Sequence, residues 1–121
     1  MSDKVRSYRD LMIWQKGIEL VKEVYRLTDG FPQSERYGLA DQLRRASVSV
    51  PSNIAEGQAR QHTGEFRQFL YTALGSAAEV DTQVVIAREL GYSSCEEASV
   101  IEERLVELRK MTYTLISRLK R

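Results

Sequence analysis

Apolar residues recur along this chain at steps of three and four, so each long segment reads as one flank of an α-helix. In the first segment, about Asp10 to Asp29, two seams run side by side: Leu11, Trp14, Ile18, Val21 and Tyr25, and Ile13, Gly17, Leu20, Val24 and Leu27. Adjacent seams sit about 100° apart and make an apolar arc wider than one bundle contact requires. One seam is therefore expected to face another subunit. Gly30, Phe31 and Pro32 predict the stop, with the glycine as a left-handed cap and the proline just beyond it.

The second segment, roughly residues 35 to 60 behind Ser34 as N-cap, carries Leu39, Leu43, Ala46, Val50, Ile54 and Gly57 on one face. A polar row, Arg45, Ser49, Ser52, Glu56 and Arg60, follows the same steps. Pro51 interrupts this pattern: it has no N–H and its ring crowds the carbonyl of Ser47, a loss of roughly 3 kcal/mol in an undisturbed helix. A kink at Pro51 is expected, with the freed carbonyl bonded by one of the nearby serines or by a partner.

After a short break at Gln61 to Gly64, with Thr63 as expected cap, a third helix spans about 64 to 90. Its inner face reads Phe66, Phe69 or Leu70, Ala73, Ala77, Val80, Val84 and Ala87, and its small residues Ala73, Gly75, Ser76, Ala77 and Ala78 permit close approach of another helix. Gly91 ends it. Ser94 with Glu97 forms a capping box opening a fourth helix, about 95 to 119, whose seam is Ile101, Leu105, Leu108, Thr112, Leu115 and Leu119. Four helices joined by short loops make an all-α, antiparallel up-down-up-down bundle over residues 10–121, preceded by a polar arm at 1–9.

The run YGLADQLRRASVSVPSNIAEG, Tyr37 to Gly57, is the most distinctive stretch. It is preceded by DLMIWQKGIELVKEVYRLTDGFP and followed by EFRQFLYTALGSAAEVDTQ. Together these resemble a small bacterial four-helix-bundle family encoded in intervening sequences of 23S ribosomal RNA genes, similar also to the accessory protein of diversity-generating retroelements. The resemblance covers nearly the whole chain. It implies a bundle that assembles as a ring, a pentamer, with no established catalytic activity.

At 121 residues the chain has room for one core. Its 42% hydrophobic and 29% charged residues fit a water-soluble domain. No run approaches the roughly 20 apolar residues of a membrane span, and MSDKVRSYRD has no apolar signal core, so a cytoplasmic protein without membrane contact is expected. Cys95 stands alone and reads as a plain thiol.

Little here points to catalysis. His62 is the sole histidine, with Cys95 at the opposite predicted end; no Glu-x-x-His pair and no glycine-rich phosphate loop occur. Neither a metal, a cofactor nor an enzyme is expected. The unusual polar set is Arg45, Ser49, Ser52, Asn53 and Glu56, read as a buried network fixing helix and subunit register, with a ligand or partner site as the alternative. Of Arg44 and Arg45, one is expected to pair structurally and one to face solvent. Trp14, Tyr25, Phe66 and Phe69 read as core and not as stacking platforms; Tyr8, Tyr37 and Tyr92, near helix ends, are left open between the two.

A net charge of +1 is uninformative until the topology is drawn. One end of the bundle then collects Lys4, Arg6, Arg9, Arg60, Arg67, Arg118, Lys120 and Arg121 against Asp3, Asp10, Glu56 and Glu65. The other holds Asp29, Glu35, Glu89, Glu96 and Glu97 with Arg36 and Arg88. A ring would repeat the basic end on one side, making a surface for RNA or DNA. The rival reading is a protein-interaction scaffold, docking a protein partner without nucleic acid.

Overall fold

Four α-helices form among residues 7–119, the part of the chain that the computed structural model describes: Met12–Asp29 (α1), Leu39–Ala59 (α2), Thr63–Glu89 (α3) and Cys95–Leu119 (α4). Each packs against the next, and α4 returns to α1. This is the antiparallel four-helix bundle that the apolar spacing predicts. Lateral contacts set the heights: Gly17 lies level with Pro51, Ser49 with Ser76, and Lys16 with Glu107.

The core is built from the expected seams. Leu20, Val24, Leu43, Val50, Ile54, Leu70, Val80, Val84, Ile101 and Leu105 are almost wholly removed from water. Burying such a side chain contributes roughly 1.5–3 kcal/mol, so these positions dominate the stability. In α4 the inner row ends on Ile116, with Leu115 only half-buried, because a helix of 3.6 residues per turn drifts away from a strict heptad. Among the buried polar residues, Thr28 and Thr112 donate to carbonyls four residues back, Ser47 donates to the Arg44 carbonyl and Ser76 meets Ser49. None of these hydroxyls is left without a partner in the apolar interior.

The helix ends differ from expectation where side chains outcompete the assumed caps. Residues 7–9 are not a loose arm: the Ser7 hydroxyl accepts from the Arg9 N–H, and Asp10 accepts from the Ser7 N–H, closing a 3-10 turn over Tyr8–Asp10. Leu11 is extended, so α1 begins at Met12 and not at Asp10. Gly30 is right-handed at φ −87°. The left-handed cap expected there is absent, since ordinary turn hydrogen bonds from Gly30 and Phe31 to the Leu27 and Thr28 carbonyls close the helix.

Ser34 does not cap α2. It lies in a second 3-10 turn, Gln33–Glu35, and α2 starts at Leu39 behind Gly38, where the Glu35 carboxylate accepts from the Leu39 N–H at 2.9 Å. Thr63 is the first residue of α3; His62 occupies the N-cap and makes no side-chain cap bond. Two sequence expectations stand at the remaining ends. Gly91 terminates α3 with φ +79°, and Ser94 with Glu97 forms the capping box of α4.

The helix α2 continues through Pro51 without a break. The ring is buried against α1, where Gly17 leaves room for it. The nearby polar side chains are engaged elsewhere than at the Ser47 carbonyl: the Ser47 hydroxyl donates to the Arg44 carbonyl, the Ser49 hydroxyl meets that of Ser76, and the Asn53 amide donates to the Ser49 carbonyl and hydroxyl. Among the described residues no helix is long and apolar enough to cross a membrane.

Candidate nucleic-acid interface and polar network

One end of the bundle is made by the starts of α1 and α3 and the ends of α2 and α4. Two helix N-termini and two C-termini meet there, so the macrodipoles largely cancel and side-chain charge sets the local potential. In the half of the bundle below Gly17 and Pro51, Arg9, Lys16, Arg60, Arg67, Arg109, Lys110 and Arg118 stand against Asp10, Glu56, Glu65 and Glu107. Above it the acids prevail. Lys4, Arg6, Lys120 and Arg121, which the sequence assigns to the same end, lie outside the described residues.

The cations differ in how far they are committed. Arg60 pairs with Glu56 at 2.9 Å and Glu65 at 3.8 Å and lies over the Phe69 ring; its hydrogen bond to Glu56, foremost, holds its pKa above the ordinary value. Arg67 donates to the Leu119 carbonyl at 3.0 Å, fastening the end of α4 to α3. Arg9 and Arg118 are exposed and make no ion pair among the described residues. Of the predicted contact residues that are described, these two are the most available.

Sequence reasoning missed Lys110 and a groove beside it. Leu11, Met12, Ile13, Met111, Thr114 and Leu115 line a recess of about 390 Å³ between α1 and α4, flanked by Lys110 and Arg118. Ion pairs between Lys16 and Glu107, and from Arg104 to Glu19 and Glu23, close the same seam higher up. Met111, Leu115 and Arg118 follow helical steps beside the core seam, and that spacing was the available signal.

The polar set on α2 does not form one buried network. Arg45 is exposed and pairs with Asp41 at 3.0 Å; Glu56 turns to Arg60; Ser52 faces solvent. Only Ser49 and Asn53 join, linked to Ser76 of α3 through the 2.8 Å hydroxyl contact. The steps that aligned these residues span the outward flank of α2, whereas burial follows the flank one step round. Arg44 is the structural member of its pair, as expected: it donates to the Thr28 hydroxyl at 2.7 Å and to Asp29 at 2.9 Å, and covers the Tyr25 ring at 4.4 Å.

The aromatic residues divide likewise. Trp14 and Phe66 pack against the core, Phe69 is half-buried, and Tyr25, expected inside, is exposed under Arg44. Tyr8 packs as a tilted ring against Trp14; Tyr92 packs on Phe31 and donates to Glu35; Tyr37 is 86% exposed. Cys95 is a free, exposed thiol, and no group of His, Cys, Asp and Glu among the described residues is placed to hold a metal ion.

A family model described as 23S rRNA-intervening sequence protein matches residues 9–114. The chain belongs to this family. A crystal structure of a protein with unknown function, from the S23 ribosomal protein family of Bacteroides thetaiotaomicron, shares the fold with a TM-score of 0.80 at 21% identity. The alignment covers 87% of this chain and 98% of that one. None of the curated proteins matches. The likeness is one of fold, an all-α four-helix bundle.

Proposed function

We propose that this member of the family is a non-enzymatic, cytoplasmic, homo-oligomeric ring protein that binds RNA or DNA through the basic end of its bundle. The observation that supports it best is the separation of charge along the bundle axis: the dipole of α4 accounts for Arg118 in its last turn, but not for Arg9, Lys16, Arg109 and Lys110 in the same half. In a ring of parallel copies, five by the resemblance, each subunit offers Arg9, Lys110 and Arg118 on the same side. A modest excess per chain then becomes a continuous phosphate-binding surface.

Assembly is supported by the surplus apolar surface. On α1 Ile18 and Val21 are half-buried and Tyr25 is exposed, and Tyr25 shares a surface recess with the exposed Val48 of α2. The test is retention of a short RNA or DNA duplex at low and moderate salt. Lys110→Glu with Arg118→Glu should abolish retention, and wild-type affinity should fall steeply with salt; a flat salt response would rule the reading out. The methionine-lined groove favours a second reading, a scaffold docking a protein segment, in which Met111→Glu would release the partner and reversal of the exposed Arg9 would not.

A further inference from the structure

The outward flank of α1 and the outward flank of α3 are complementary at equal heights. Since Gly17 is level with Pro51, and Ser49 with Ser76, α1 and α3 run in the same direction with a constant offset. Ile18 then stands at the height of Gly75, Val21 at that of Ala78, Lys22 at that of Glu79 and Tyr25 at that of Thr82. At matched heights the apolar side chains Ile18, Val21 and Tyr25 on one flank correspond to the smaller Gly75, Ala78 and Thr82 on the other.

Two further observations join them. Lys22 makes no ion pair among the described residues, nor do Glu79 and Asp81, and α3 carries no cation from Gln68 to Ala87. Gly75 has no account within its own chain: it sits in mid-helix without a positive φ, and a Cβ there would meet nothing within 4 Å. Glycine is among the poorest helix formers, and here neither backbone conformation nor internal packing requires it. A neighbour's side chain at that point would.

We propose that the α1 flank of one copy, Ile18, Val21, Lys22 and Tyr25, docks on the α3 flank of a second copy, Gly75, Ala78, Glu79 and Thr82, with Lys22 opposite Glu79. This rests on the homo-oligomeric reading above and names the surfaces that make it. Rotation about an axis along the bundle leaves heights unchanged, so residues that are level within one chain are the ones that meet between copies. The two flanks differ, so the contact is heterologous and each subunit uses both. Repeated around the axis, it generates a ring with every basic end on one side.

The experiment is sedimentation and light scattering of the full chain over a range of concentrations, with circular dichroism to verify folding. Wild type should exceed the 13.9 kDa monomer. Lys22→Glu and Glu79→Lys should each weaken assembly roughly tenfold or more, and the double variant should restore it. Gly75→Leu, which favours the helix, should yield a folded monomer. A monomeric wild type would overturn both this interface and the oligomeric reading. An assembled wild type whose variants all assemble equally well would overturn the interface alone, and so would single charge variants that the double fails to rescue.

Discussion

Gly17 and Pro51 touch: a Cβ on Gly17 would lie 3.1 Å from the Pro51 Cβ and 3.4 Å from its Cα and Cδ. The glycine of α1 is thus the socket for the proline ring of α2. Gly17→Ala gains helix propensity, about 1 kcal/mol, but presses a methyl group onto a buried ring that cannot rotate away. We expect a net loss of about 1–2 kcal/mol, measured by urea unfolding. With Pro51→Ala in place the obstruction is gone, and the same Gly17→Ala change should then stabilise. A coupling near zero in this double-mutant cycle would show that the contact carries no energy.

Gly57 is held more tightly. A Cβ there would come within 2.6 Å of the Phe69 Cβ and 3.1 Å of the Phe66 Cδ1. The first of these atoms is fixed to the α3 backbone, so α2 and α3 must separate. Gly57→Ala should cost about 2–3 kcal/mol, more than Gly17→Ala, and calorimetry should show the difference as a lower Tm.

Two helix starts make a matched comparison. Ser94 accepts from the Glu97 N–H at 3.0 Å, and Ser94→Ala should cost about 1 kcal/mol. His62 occupies the N-cap of α3 with extended backbone and makes no cap bond. His62→Asp should therefore stabilise by about 1 kcal/mol, through a new hydrogen bond and a negative charge at a helix N-terminus. Denaturant midpoints moving in opposite directions would bear this out.

Tyr92 donates to the Glu35 carboxylate at 3.0 Å, and this bond, foremost, raises its pKa above the ordinary 10.0. A phenol whose pKa is raised by folding loses its proton more readily when unfolded. Its stabilisation is complete below pH 10.0 and declines as pH rises through the folded-state value. Tyr92→Phe should flatten that alkaline decline in unfolding free energy. Identical pH profiles for the two proteins would refute the coupling.

The elements were legible because 3.6-residue periodicity is a local property. The rows through Leu20 and Val24, Leu43 and Val50, Val80 and Val84, and Ile101 and Leu105 announced their helices and became the core. Gly91 and the Ser94 box were equally readable, since each acts within a few residues. Ser34 and Thr63 failed as caps because cap preference does not say which neighbour will reach the free N–H; Glu35 does so for Leu39.

The candidate sites were less legible, since they depend on which helix flank meets which neighbour. Spacing alone could not separate Arg45, held in a local pair on the surface, from Arg44, drawn across to Thr28 and Asp29 on another helix. The amino-acid sequence by itself determined the four helices, their apolar faces and the clustering of basic residues at one end. Tertiary packing alone decided that Gly17 admits Pro51, that Arg60 and Arg67 are engaged within the chain, and that Lys22 stands level with Glu79. Those relations are distances between segments far apart in the chain, set by how side chains interlock and not by any local preference.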